Sequence, residues 1–451
     1  MIVRITPARL SGTITAPSSK SVAHRALICA ALADGISTLI LDSSNDDIEA
    51  TISCLEALGA RIVRNHTTLT VHPIEHGAFP DDMCVLDCAE SGSTLRFMMG
   101  VVAALGRHAE FRGRGRLGKR PIDAFAQELS SHGVKFDVTN GLPFRMEGKL
   151  SGGTFCLPGN LSSQFATALL LASPLIDDRF ELWVKEPVES LPYIEMTCAC
   201  MSDFSVPSTT ETMTQDDTSY RVWHSSNGTR YAKQTNYIIE GDWSGAAFWL
   251  CAAALGSVSL DYMGAQSPTS RTIEVSGLKL KSTQGDRAVI DILQRFGAEI
   301  TETSTGVAVR TNKLEGCTID ASHIPDLIMP LAAVAAVSHG TTRISHCGRL
   351  RLKESDRLQA IVTTLSRLGA SVTIEGDDLV FQGVEQLSGA TLDCMGDHRV
   401  AMLGALAAIR ATGDVELDGA EVVSKSYPAF FEDYAQLGGT VHVIEENNHG
   451  I

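Results

Sequence analysis

Two kinds of apolar segment alternate along the chain. One kind is apolar on nearly every face, as in RALICAALA, RFMMGVVAALG, FATALLLASPL, AAFWLCAAAL, LIMPLAAVAAV and AMLGALAAI, beginning near Lys20, Gly92, Ser163, Ser244, Asp326 and His398. Helices without a polar face belong in an interior. The other kind carries mixed charged faces and ends in a turn followed by a short strand. Its copies are LEALGARIV (Leu55–Val63), LSSHGVKFDV (Leu129–Val138), CMSDFSV (Cys200–Val206), LQRFGAEI (Leu293–Ile300), LSRLGASVTI (Leu365–Ile374) and YAQLGGTVHV (Tyr434–Val443). The turn positions Gly59, Gly133, Ser205, Gly297, Gly369 and Gly438 are spaced 74, 72, 92, 72 and 69 residues apart. Glycine suits the residue after a helix C-cap, where the backbone turns left-handed. Ser205 is the one departure.

Short β-rich runs such as TLTVHP, FELWV, GVAVR, DLVFQG and DVELDG lie between the helices. Each repeat of about 70 residues therefore holds one buried helix, one amphipathic helix and several strands. That alternation predicts an α/β architecture in which sheets cover helices. Three copies precede the long gap and three follow it, which predicts two pseudo-threefold domains with a boundary near Tyr237–Gly241. The polar segment Ser208–Gln234 reads as including an extended hairpin.

Composition narrows the class. A chain of 451 residues, 44% hydrophobic and 20% charged, is globular and too long for one ordinary core. Its longest apolar runs, such as Leu327–Val337, fall well short of a membrane span. The start MIVRITPARLSG has neither a signal-peptide nor a transit-peptide layout, and eleven cysteines without a CxxC pair suit a reducing compartment. A cytoplasmic protein is expected. Cys198 and Cys200 are too close for zinc spacing and Cys84 and Cys88 lie beside no histidine cluster, so no metal is expected. A net charge of −16 argues against a nucleic-acid or anionic-membrane surface.

Against that acidic background the cations stand out. Lys20 and Arg25 occupy the first turns of a helix begun by Pro17-Ser18-Ser19, where the positive end of the macrodipole disfavours them. The other buried helices open on ESGSTLR, NLSSQ, GDWSG, IPDLIMP and MGDHR, and basic loops occur as RGRGRLGKRP, RLRLKESDR and SKSYP. An anion at a helix N-terminus compensates both the dipole and a nearby cation. Two domains directing such helix ends toward a common cleft would bind small, multiply anionic, phosphorylated ligands. Taken singly the residues have plainer readings: Ser162–Ser163–Gln164 as a cap, Asp326 as a cap after Pro325, Asp397–His398–Arg399 as a cap with a surface pair. Their recurrence at equivalent places in a repeat favours the anion site.

PSSKSVAHR, the SGST-x-R segment, RPI, LSSQ, LPYIEMT, IPDLIMPLA, LRLKESDRL, GDHRVAM and SKSYPAFF, in this order over nearly the whole chain, resemble the EPSP synthase (3-phosphoshikimate 1-carboxyvinyltransferase) family. The resemblance implies two inside-out α/β domains, each of three repeated βαβαββ units, with a cleft between them that closes on ligands. It also implies discontinuous domains: residues 16–237 on the shikimate 3-phosphate side, and 1–15 together with 238–451. The implied reaction passes the enolpyruvyl group of phosphoenolpyruvate to the 5-hydroxyl of shikimate 3-phosphate, by addition and elimination, with no metal or organic cofactor.

By motif match, Lys20, Ser21, Arg25, Ser162, Ser163, Gln164, Ser190, Asp326 and Lys353 would meet shikimate 3-phosphate. Lys20, Gly92, Arg120, Gln164, Arg357, Arg399 and Lys425 would hold phosphoenolpyruvate. Asp326 would be the base on the 5-hydroxyl, with Glu354 and Lys20 relaying a proton to C3. The chain departs from the family pattern at Glu90, where many members have Asn, at Phe97, where many have Pro or an aliphatic residue, and at Arg349, where the family has Asn. Gly92 matches the small residue beside the phosphoenolpyruvate site, where bulk would restrict the inhibitor glyphosate. The rivals are the sister enolpyruvyltransferase acting on UDP-N-acetylglucosamine, disfavoured by the cysteine-free loop RGRGRLGKRPI and the start SSKS, and a non-catalytic phosphometabolite-binding paralogue. A monomer is favoured.

Overall fold

The computed structural model describes residues 1–75, 82–137, 141–225, 229–256 and 272–445, so Val138, at the end of the second repeat, lies outside the described residues. The chain forms two compact units, Ser18–Ile239 and a second made of Met1–Pro17 with Glu240–Ile451.

In the Ser18–Ile239 unit the helices are α1 (Lys20–Ala31), α2 (Asp46–Ala57), α3 (Gly92–Leu105), α4 (Asp123–Ser131), α5 (Ser163–Ala172) and α6 (Leu191–Asp203). The odd-numbered ones are the apolar set, and α3 packs on α5 so closely that Gly100 has no room for a methyl against Ala168. Three four-stranded sheets accompany them. In two of them the first two strands are parallel around the buried helix, as Gly153–Leu157 and Phe180–Lys185 are around α5, and in the other Tyr237–Ile238 runs parallel to Ser37–Ile40, which follows α1. The third and fourth strands form an antiparallel hairpin that docks by its fourth strand onto the second. The hairpin Ser208–Gln215/Thr218–Ser225 has the longest strands of the unit, eight residues each.

The other unit repeats the plan with α7 (Trp243–Leu255), α8 (Val289–Phe296), α9 (Ile328–Val337), α10 (Arg357–Arg367), α11 (His398–Ala408) and α12 (Phe430–Gln436). Here α7, α9 and α11 pack on one another, and all ten residues of α9 are buried. Its three sheets use strands from the chain's beginning: Gly12–Thr15 runs parallel to Thr272–Ser276, and Ile2–Thr6 lies between Val415–Asp418 and Thr440–Glu445. Sheets such as Asp378–Gln382 turn Leu379 and Phe381 inward and leave the alternate residues less covered. Each unit is therefore three βαβαββ repeats with helices inside and sheets outside.

All six amphipathic helices end in the same cap. In each, the turn residue donates its N–H to the carbonyl three back and its successor to the carbonyl five back, as Gly59 does to Glu56 and Ala60 to Leu55. The turn residue is left-handed every time, and Ser205 adopts φ 66° just as the glycines do. A side chain there costs about 1–2 kcal/mol, partly offset because glycine loses more backbone entropy on folding. Ser205→Gly is accordingly expected to raise the melting temperature by about 1–3 °C. A fall in thermal denaturation would mean the serine hydroxyl contributes to the cap.

Candidate active site

In the Ser18–Ile239 unit the site-bearing residues gather at helix N-termini. Ser19 caps α1 and sets Lys20 in its first turn, where Lys20 Nζ meets Asp47 Oδ2 at 2.7 Å. Asp47 stands in the first turn of α2, so a carboxylate from one helix start balances a cation at another. Ser91 caps α3, and Gly92 follows as its first residue. A methyl on Gly92 would fall 2.7 Å from Arg120 Cζ and 2.8 Å from Arg96 Nη1, so two guanidinium groups lie directly on this backbone. Ser162 caps α5, and Gln164 reaches back to donate to Ser93 Oγ at 3.0 Å. Ser163 is buried in the first turn of α5, while Ser190 starts α6 in a left-handed conformation and is 2% exposed. Such a backbone outlier is usual where the surroundings over-determine a position.

Arg25 behaves differently. It is 3% exposed and donates to Thr197 Oγ1, Ser21 O, Thr167 Oγ1 and Tyr193 O, at 2.8, 2.7, 3.3 and 2.9 Å. Three of these bonds fasten α1 to α5 and α6, and the fourth returns to α1's own first turn. Burial, only partly offset by neighbouring thiol and phenol groups, lowers its pKa to about 10. Phe97 lies under this group, its ring 5.2 Å from Arg25 Cζ and edge-on to His24. The Glu90 carboxylate lies over Gly115 in the basic loop, leaving that glycine no room for a side chain.

In the other unit a carboxylate is surrounded by cations. Asp326 is not the N-cap of α9, which has Leu327 at that position and no side-chain cap bond. Its Oδ1 instead meets Arg357 Nη1 at 3.1 Å and Lys353 Nζ at 3.4 Å, and its Oδ2 lies 3.7 Å from Arg399 Nη2. Withdrawal from water opposes ionisation, but Arg399, Lys353 and Arg357 outweigh it and hold the Asp326 carboxyl well below the usual range. Lys353 is pushed down, first by burial and then by Arg357 and Arg349, with Asp326 opposing. Arg349 therefore acts electrostatically on Lys353. Glu354 Oε2 lies 2.8 Å from Arg357 Nη2.

Arg357 is itself 1% exposed and is held from behind by Asp397, with Nε to Oδ2 at 2.8 Å and Nη2 to Oδ1 at 3.1 Å. Asp397 also caps α11 through the Arg399 N–H, and Arg399 Nη1 donates to Asp326 O at 2.7 Å. Lys425 donates to Gly396 O at 2.9 Å, on the turn before α11. Asp286, with no motif around it, accepts from the Ser244 hydroxyl at the start of α7. Burial first, and then Asp326, push its carboxyl up to about 7. Asp47 and Asp397 likewise carry no sequence signal as ion-pair partners, because first-turn acids and Asp at an N-cap are what any helix start shows.

The EPSP synthase (3-phosphoshikimate 1-carboxyvinyltransferase) family model matches residues 5–434. The chain belongs to the EPSP synthase family. It is 39% identical to the 3-phosphoshikimate 1-carboxyvinyltransferase of Clostridium beijerinckii, over 99% of both chains. It is 38% identical to that of Clostridium kluyveri, over 97% of this chain and 98% of that one. A solved EPSP synthase structure from Acinetobacter baumannii superposes with a TM-score of 0.77 at 24% identity, covering 98% of this chain and all of that one, which shows the shared fold. Among the described residues no helix is long and apolar enough to cross a membrane, and no group of three or more His, Cys, Asp or Glu is placed to hold a metal ion.

Proposed function

We propose that this chain transfers the enolpyruvyl group of phosphoenolpyruvate to the 5-hydroxyl of shikimate 3-phosphate and releases phosphate. Asp326 carries the reading: a carboxylate that stands among Arg357, Lys353 and Arg399. Shikimate 3-phosphate and phosphoenolpyruvate each bring a phosphate and a carboxylate, the groups that Lys and Arg recognise by charge-assisted hydrogen bonds. Lys20, Ser21, Arg25, Ser162, Ser163, Gln164, Ser190, Asp326 and Lys353 are assigned to the first substrate. Lys20, Gly92, Arg120, Gln164, Arg357, Arg399 and Lys425 are assigned to the second.

Asp326 takes the proton of the 5-hydroxyl as that oxygen bonds to C2 of phosphoenolpyruvate. C3 receives a proton through Glu354 and Lys20, giving a tetrahedral intermediate. Return of a C3 proton to that relay and cleavage of the C2–O bond to the phosphorus-bound oxygen then release phosphate and re-form the C2–C3 double bond, now as an enol ether. Cations around the departing phosphate stabilise the charge it carries away.

The test is phosphate release from phosphoenolpyruvate in metal-chelated buffer, with and without shikimate 3-phosphate, beside an Asp326→Ala control. Release that requires the second substrate and collapses in the control supports the transfer. A folded protein that binds both compounds without releasing phosphate would be a non-catalytic relative. Gly92→Ala must displace Arg120 and Arg96. It is expected to raise the KM for phosphoenolpyruvate roughly ten- to a hundredfold, with a smaller change for shikimate 3-phosphate. Equal rises for both substrates would remove Arg120 from its assigned role.

A further inference from the structure

Inside the Ser18–Ile239 unit a line of polar side chains crosses the apolar core where none is needed for packing. His24 on α1, Thr51 on α2, and Thr94 and Ser91 at the start of α3 are at most 1% exposed. Their polar atoms form an unbroken series: His24 Nδ1 to Thr51 Oγ1, Thr51 Oγ1 to Thr94 Oγ1, and Thr94 Oγ1 to Ser91 Oγ, each 2.7 Å. Thr94 Oγ1 also lies 3.3 Å from Asp47 O, and the Thr94 N–H reaches Ser91 Oγ at 3.2 Å. Burying hydroxyls is costly unless each is paired, and a core selected for burial alone would place valine or leucine here.

The Thr94 hydroxyl has both Ser91 Oγ and Asp47 O within reach as acceptors, so the series closes with its hydrogens running in either direction. Nε2 of His24 has no hydrogen-bond partner among the described residues. Burial, with Lys20 and Arg25 nearby, keeps this imidazole neutral.

Resting on the function proposed above, we propose that His24, Thr51 and Thr94 are positioning residues that lock the start of α3, and with it Gly92, in register with the Lys20–Asp47 pair. Apolar contacts between helices are non-directional and permit sliding, whereas three successive 2.7 Å hydrogen bonds fix rotation and depth. The chain joins the helix that carries Lys20, the helix that carries Asp47 and the helix that begins at Gly92. Lys20 and Gly92 are assigned to phosphoenolpyruvate, Lys20 also to the proton relay, and Asp47 holds Lys20.

The experiment compares Thr51→Val and Thr94→Val with Thr51→Ser and Thr94→Ser in the full chain. Thr364→Val is the control, since that buried hydroxyl in the other unit has no partner among the described residues. Each valine variant is expected to raise the KM for phosphoenolpyruvate roughly five- to tenfold, with the serine variants restored to near the native value and the control unchanged. The double valine variant should be no worse than the poorer single one, because either substitution breaks the same chain. Valine variants that lose only thermal stability, or serine variants that behave like valine, would overturn the inference. A native chain that releases no phosphate would instead overturn the function on which it rests.

Discussion

Asparagine at position 326 is expected to lower kcat by about a hundred- to ten-thousandfold without raising the KM for either substrate. The substitution keeps the side-chain shape and removes one negative charge from among Arg357, Lys353 and Arg399. Those cations then face anionic ligands with less internal compensation, so binding should hold or tighten while proton removal fails. Steady-state kinetics separate the two effects. A raised KM with kcat preserved would make Asp326 a binding group and not a base.

The charge around Asp326 also dictates how its activity should depend on pH. Without ligands, the three cations hold its carboxyl well below the usual range, which makes it a weak proton acceptor. Phosphate and carboxylate groups bound to the same cations would partly neutralise them and let the Asp326 pKa rise. The base works only when ionised, so activity falls as the pH drops through that pKa. The acid limb of kcat, which reports the substrate complex, should therefore lie at higher pH than the acid limb of kcat/KM. Coincident limbs would mean that the substrates leave these cations uncompensated.

The sequence discloses the repeat because left-handed cap residues and all-apolar helices are local requirements. Gly59 or Gly369 can be recognised as a helix stop without knowing what the helix packs against. Ser205 shows the limit, since its φ is imposed by the cap hydrogen bonds and not by its own side chain. Strand partners were less legible. Ile2–Thr6 completes a sheet with strands more than 400 residues away, and Tyr237–Ile238 supplies two residues to the sheet of Ser37–Ile40. Periodicity cannot choose among such pairings. At the site, the cations could be read as a group, but their acidic partners could not. Asp397 and Asp47 look like ordinary residues of a helix start until Arg357 and Lys20 are found against them. Arg25 shows the converse: the motif points it at a ligand, and the fold also gives it four protein acceptors.

Asp397→Ala should be the most destabilising single change in its unit, by about 3–5 kcal/mol. Asp397 is fully buried, Arg357 is nearly so, and the carboxylate accepts two hydrogen bonds from that guanidinium, one from Ser355 and one from the Arg399 N–H. Removing it takes two acceptors from a buried guanidinium that keeps only Asp326 and Glu354 against it, and uncaps α11 in one step. Against a usual folding free energy of about 5–15 kcal/mol, this would be evident in urea denaturation. Replacing Arg357 by methionine as well should recover part of the loss, because the buried donors left without acceptors are gone. The pH dependence has a definite sign. Burial opposes ionisation of Asp397, but Arg357 overcomes it and holds the pKa at about 2. A carboxyl depressed on folding stabilises fully above its unfolded pKa of about 3.9 and loses that contribution as the pH falls toward the folded value. Asp397→Asn should thus flatten the loss of stability between about pH 4 and pH 2. An unchanged slope there would mean that the Asp397–Arg357 pair is not what acid breaks first.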